Sequence, residues 1–176
     1  MALTLLRHTR PLGAEGLCYG HTDLAPGPDL AGEAARLAAE LPPFAVVVTS
    51  PLTRCRALAE ALAAARGVPL AVDPRIAEMD FGTWEGRPWA AIPRAEIDAW
   101  AADLMHACPH GGETVAALAA RVGAALGDWR ASPAPRLAVT HAGVVKAVRA
   151  ARAGPAAWTG TIAFGAWEIV PQDAPG

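Results

Sequence analysis

The stretch Leu3-Thr4-Leu5-Leu6-Arg7-His8-Thr9-Arg10-Pro11 begins as an apolar run and ends with an arginine and a histidine side by side. Apolar residues bounded by polar ones and a proline predict a short buried strand. Arg7 and His8 then stand at its carboxyl end, where open α/β sheets keep their ligand sites. An Arg-His pair alone says little, but two later stretches follow the same plan. Phe44-Ala45-Val46-Val47-Val48-Thr49 and Arg136-Leu137-Ala138-Val139-Thr140 are also apolar runs and read as buried strands. The first leads into Ser50-Pro51, an N-cap followed by proline at the first helical position. The second turns at His141-Ala142-Gly143 into a helix over Val144–Arg152.

Helical patterns alternate with these strands. Asp29 is placed to cap a helix whose apolar face uses Leu30, Ala34, Leu37 and Leu41 and which Pro42-Pro43 ends. A second helix is expected from Leu52 to Arg66, stopped by Gly67 and followed by a strand at Val68–Val72. Further on come a helical segment from Pro88 to Ala102 interrupted near Pro93, a loop at Cys108–Gly112 and an amphipathic helix over Glu113–Trp129. Thr161–Val170 reads as two short strands broken at Gly165. Strand and helix in alternation predict an α/β fold: three layers, α/β/α, around a mostly parallel sheet with right-handed crossovers. The 176 residues show no repeat, low-complexity tract or linker, so 1–176 is expected to form one domain.

Composition narrows the class. With 53% hydrophobic and 18% charged residues the chain is globular rather than disordered. A net charge of −2 offers no electrostatic footprint for nucleic acid or an acidic membrane. Cys18, Cys55 and Cys108 are scattered, as in a reducing compartment. No signal peptide and no membrane-length apolar run are visible, so a cytoplasmic location is expected. Lys146 is the only lysine; the other bases are arginines, which suit bidentate oxyanion recognition, a usage that a GC-rich genome also explains. His106, Cys108 and His110 alternate, but in a loop with Pro109 and Gly111 and without a fourth ligand, so no metal is expected. Trp129 and Trp167 are expected in the core. Trp84 and Trp89 flank the loop before them and are read as core, or as stacking on an aromatic base.

In a parallel sheet the three strand ends lie along one edge. They bring together Arg7 and His8, Ser50 with Arg54 just beyond, and His141. Arginines and helix N-termini both suit a phosphate. Glu78, in Ile76-Ala77-Glu78-Met79-Asp80-Phe81-Gly82, is the candidate acid, with Asp80 as its rival; Arg56 is the surface counterpart of Arg54.

Five stretches then occur in order along nearly the whole chain: Leu6-Arg7-His8, Ser50-Pro51-Leu52-Thr53-Arg54, Glu78 to Gly86, Pro109-His110-Gly111-Gly112-Glu113-Thr114, and Val139-Thr140-His141-Ala142-Gly143-Val144. Together they resemble the signature of the histidine phosphatase superfamily, also called phosphoglycerate mutase-like. The resemblance implies a phosphoglycerate mutase-like (Rossmann-like) fold and a metal-independent phosphomonoesterase without cofactor. It implies that His8 is the nucleophile and becomes phosphohistidine. Arg7, Arg54 and His141 then hold the phosphoryl oxygens, and Glu78 protonates the leaving oxygen and afterwards activates water. Thr9, Tyr19, Gly20 and Ala142 join them as expected substrate contacts. Arg7-His8-Thr9-Arg10-Pro11, Cys18-Tyr19-Gly20-His21-Thr22-Asp23 and Glu78-Met79-Asp80-Phe81-Gly82 further resemble α-ribazole phosphatases, implying α-ribazole 5′-phosphate as substrate in cobalamin biosynthesis. A phosphatase of another small phosphomonoester, a phosphoglycerate mutase and an inactive phospho-ligand binding module are the alternatives; a homodimer is left open. The pattern departs at Thr9 and Arg10, where Gly and Glu are common, and at Ala14, near a usual asparagine. Arg10 or the Gly16–Asp23 backbone would then replace one phosphate contact. His110 is read as part of a structural loop, with a place near the substrate as the alternative.

Overall fold

A computed structural model of the chain describes residues 2–170. The expected domain of 1–176 thus extends over Met1 and 171–176, which lie outside the described residues. Five strands form one sheet: β1 (Leu3–Arg7), β2 (Val46–Thr49), β3 (Leu70–Val72), β4 (Arg136–Thr140) and β5 (Trp167–Val170), in the order β3-β2-β4-β1-β5. All neighbours are parallel except β5, which runs antiparallel to β1 at one edge.

Side chains alternate across a strand, and both faces of this sheet are covered. Leu6, Val47, Leu137 and Val139 face a layer made by α1 (Leu30–Glu40) and α2 (Thr53–Arg66), through Leu37, Leu58 and Leu62. Leu3, Leu5, Val48 and Ala138 face the opposite layer, where α4 (Val115–Trp129) and α5 (Ala142–Ala153) supply Leu118, Val122, Val144 and Val148. This is the expected α/β/α arrangement. A short α3 (Arg94–Ala102) follows 3₁₀ turns at Gly82–Trp84 and Trp89–Ala91, with the predicted break at Pro93 between them and α3. None of the described helices is long and apolar enough to cross a membrane.

Register levels the functional ends. Arg7 lies opposite Thr140 and Thr49 opposite Val139, so the three carboxyl ends finish side by side. The ladders run on past the strands: His8 N donates to Thr140 O at 2.9 Å and Ser50 N to Val139 O at 3.1 Å.

Four local expectations are corrected. Ser50 does not cap α2 and Pro51 is not its first residue; the helix begins at Thr53 after an extended Leu52. The cap comes from 30 residues upstream, where the Asp23 carboxylate accepts from Thr53 N (2.7 Å) and Thr53 Oγ1 (2.6 Å). Asp29 makes no side-chain cap bond to α1. Instead of two strands after Thr161, only β5 forms; the segment before it crosses the end of β1, with Gly165 N shared between the Arg7 and His8 carbonyls at 3.2 Å each. Trp167 lies on the edge strand β5 and is 36% exposed, whereas Trp129 is buried as expected.

Candidate active site

His8 is 2% exposed, beyond the last residue of β1. Its Nδ1 lies 2.7 Å from the Thr9 carbonyl oxygen. A carbonyl only accepts, so Nδ1 carries the proton and Nε2 keeps its lone pair. Burial pulls His8 down to about 3; Arg54 and Arg7 push the same way, against the Thr9 hydrogen bond. The imidazole is therefore neutral at physiological pH. The His141 ring stands edge-on at 5.1 Å between centroids. Burial, His8 and the arginines Arg54, Arg121 and Arg7 all lower His141. Its Nε2 is 2.7 Å from Ser50 Oγ and 3.4 Å from the buried Cys55 thiol. Ser50 thus orients a ring rather than starting a helix.

Arg54, the second residue of α2, is fully buried. Its guanidinium donates to Thr22 O (2.8 Å) and Gly20 O (2.6 Å) and faces the Tyr19 ring at 5.1 Å. Arg7 lies flat on Phe164 at 3.8 Å and donates to the Ile162 carbonyl. Burial lowers Arg7 and raises Tyr19, and the two draw on one another through a hydrogen bond. In both arginines Nε is buried and finds no acceptor among the described residues. Arg56 is exposed and paired with Glu60, as its surface role required.

Glu78 reaches the same edge from the other side. Its carboxylate accepts from Met79 N (3.0 Å) and from Gly143 N at the start of α5 (3.1 Å). A Cβ on Gly143 would sit 2.1 Å from Glu78 Oε1, so glycine is what permits this approach. Asp80 instead closes a turn onto Gly82 N at 2.8 Å. Ala142 adjoins Glu78 in the wall of a cavity of about 380 Å³ that also includes Phe81, Trp89, Trp100 and Lys146. Thr9 is buried and serves His8 through its carbonyl. The N–H and C=O of Gly20 are both engaged within the protein, by Glu85 and Arg54.

Arg10 is exposed, 3.8 Å from Glu15 and 4.9 Å above Phe164. His110 is buried against Trp84 at 4.9 Å, its Nδ1 accepting from Gly112 N. It is not among the residues that line the cavity beside Glu78, and its packing and Gly112 hydrogen bond fit the structural loop expected there. Trp84 is fully buried and donates to Glu96, whereas Trp89 is 39% exposed. Among the described residues no three His, Cys, Asp or Glu side chains gather as metal ligands would.

Three supporting side chains escaped the sequence reading. Glu85 accepts from the backbone N–H of Gly20, His21, Thr22 and Phe81 and from the Thr22 hydroxyl. Burial alone would raise its pKa, but these hydrogen bonds override it and hold the carboxyl down at about 2. Arg121 on α4 forms a two-pronged pair with Glu113 (2.7 and 2.8 Å) and donates to the carbonyls of Arg75, Ala77 and Glu78. Asp23 caps α2. Only Arg121 left a legible signal, a charge on the apolar stripe between Leu118 and Ala125.

A family model described as the histidine phosphatase superfamily (branch 1) matches residues 3–160. The glucosyl-3-phosphoglycerate phosphatase of Mycolicibacterium vanbaalenii is 35% identical over 147 residues, covering 76% of this chain and 64% of that protein. The adenosylcobalamin/alpha-ribazole phosphatase of Salmonella typhimurium is 33% identical over 128 residues, covering 69% of this chain and 63% of that protein. The chain thus spans under two thirds of the length of either relative. The crystal structure of the alpha-ribazole phosphatase from Shigella flexneri superposes with a TM-score of 0.82 at 27% identity, covering 98% of this chain and 91% of that one.

Proposed function

The chain belongs to the histidine phosphatase superfamily, and from that premise we propose that it is a phosphomonoesterase working through a phosphohistidine at His8. The observation that carries this reading is a neutral His8, oriented by Thr9, beside the buried Arg54 and the half-buried Arg7, whose Nε–H groups are both buried and lack an acceptor among the described residues. Buried donors without partners are costly, and phosphoryl oxygens supply acceptors.

The proposed steps are these. His8 Nε2 attacks phosphorus, forming the N–P bond as the P–O bond to the alcohol breaks. Arg7, Arg54 and His141 meet the charge that spreads over the phosphoryl oxygens. Glu78 gives its proton to the leaving oxygen; as carboxylate it then takes a proton from water, which attacks phosphorus and releases phosphate and His8. Every charge is met by the chain's own residues, so the scheme calls for no metal.

α-Ribazole 5′-phosphate is the proposed substrate. Two features support it: the likeness to the Salmonella enzyme, and the tryptophan-walled cavity that begins at Glu78. The 35% identity to the mycobacterial enzyme favours a second reading, glucosyl-3-phosphoglycerate. Phosphate release from both esters, 3-phosphoglycerate and an aryl phosphate, measured with a chelator present, tests the proposal. The expected result is preferred turnover of α-ribazole 5′-phosphate and a loss on the order of 10⁴-fold in His8→Ala. Undiminished turnover in His8→Ala would overturn the mechanism, and preference for the glucosyl ester would overturn the substrate.

A further inference from the structure

Lys146, the only lysine of the chain, lies on α5 one turn beyond His141. It lines the cavity that starts at Glu78, among Phe81, Trp89, Trp100 and Leu104, and Glu78 is the only other charged residue of that wall among the described residues. The Lys146 ammonium makes no hydrogen bond or ion pair among the described residues. Burial lowers its pKa and Glu78 draws it up, while Arg7 and Arg149 push it down. Trp100, from the same wall, buries an indole N–H that likewise has no acceptor among the described residues. The Glu78 carboxylate is already engaged by Met79 N and Gly143 N. The cavity is therefore apolar, aromatic and supplied with donors that nothing in the wall satisfies. A half-buried cation of this kind is costly until a ligand pairs it.

The position of Glu78 fixes what enters. If it protonates the leaving oxygen, the body of the leaving alcohol extends past it into this cavity. We propose that Lys146 determines specificity by donating a hydrogen bond to an acceptor on a planar, apolar leaving group seated there. The inference rests on the phosphatase reading above and adds a residue and a chemistry to it. A ring nitrogen or a ring-borne carboxylate carries the required lone pair, and the aromatic walls suit either.

The test compares benzyl phosphate, pyridylmethyl phosphate and carboxybenzyl phosphate. Wild type is expected to prefer the two acceptor-bearing esters by roughly tenfold or more in kcat/KM. Lys146→Met abolishes that ratio, Lys146→Arg restores part of it, and residual turnover of benzyl phosphate shows that the variant site is assembled. The same comparison is made by calorimetric binding in His8→Ala, with and without Lys146→Met, so that it does not depend on turnover. A preference for either acceptor supports the proposal, and which one it is identifies the source. Equal kcat/KM and equal Kd across the three esters in wild type and His8→Ala, or ratios unchanged by Lys146→Met, would overturn it. Binding preference without turnover would instead sink the phosphatase reading and leave the role of Lys146 standing.

Discussion

Replacing Glu85 by Gln or Ala removes the acceptor that four backbone N–H groups and one hydroxyl share. Gly20 is buried, Thr22 and Phe81 half-buried and His21 exposed, so water rescues some of these donors and not others. Counting the buried donor fully and the half-buried ones in part gives a loss of about 3 kcal/mol for Ala. Linkage gives an independent figure. A carboxyl held at about 2 instead of 4.5 contributes roughly 3 kcal/mol, about 2 after discounting its partial exposure. Gln keeps one acceptor oxygen but turns an NH₂ toward donors, and about 2 kcal/mol is expected. The folded pKa is the depressed one, so the contribution is full above 4.5 and is lost as pH falls toward 2. Urea unfolding of wild type and Glu85→Gln at neutral pH and again below pH 4.5 reads both effects. Since Arg54 is held by the Gly20 and Thr22 carbonyls, kcat/KM is also expected to fall about tenfold. A stability difference under about 0.5 kcal/mol, or one that does not shrink in acid, would refute the reasoning.

Three other outcomes are expected. Arg121→Met strands Glu113 and three carbonyls, costing about 3 kcal/mol, and displaces the Glu78 backbone; kinetics should show kcat falling more than KM rises. Asp23→Ala removes the cap of α2 and should lower stability by about 1 kcal/mol, read as a lower urea midpoint. His8 is held at about 3 and takes up no proton in the native state as pH falls through 6.5, whereas the unfolded chain does. Stability should therefore be full above 6.5 and decline below it, by about 2 kcal/mol at pH 5 from His8 alone. His8→Asn should flatten that slope, and an unchanged slope would contradict it.

The sheet was legible because each central strand is buried on both faces and so appears as an unbroken apolar run, as in Val46–Thr49 and Arg136–Thr140. Arg7, Arg54, His141 and Glu78 were legible because strand ends and motif order place them without side-chain detail. Ser50 misled because a local rule, serine before proline at a helix start, gave way to two distant partners, Asp23 for the helix and His141 for the hydroxyl. Glu85 was invisible because all its donors but Phe81 N lie 63–65 residues away in a loop with no periodicity. Trp167 was misplaced because aromatic residues bury well in general, whereas β5 is an edge strand with half its residues facing outward.

The clasp between Asp23, Thr53 and Arg54 divides the site into two halves with different fates under mutation. Asp23 in loop 20–23 meets the first N–H of the helix, and Arg54 in the helix holds the loop's carbonyls, so loosening one loosens the other. A substitution there loosens loop and helix together. Trp89 stands on a three-residue turn, partly in solvent, and outside that clasp it meets only the rings of Phe81 and Trp84 among the aromatic contacts of the described residues. On the proposed phosphatase reading, variation is free to reshape the wall that would meet the alcohol while the phosphate end stays constant, so that one ester could be traded for another without revisiting the chemistry.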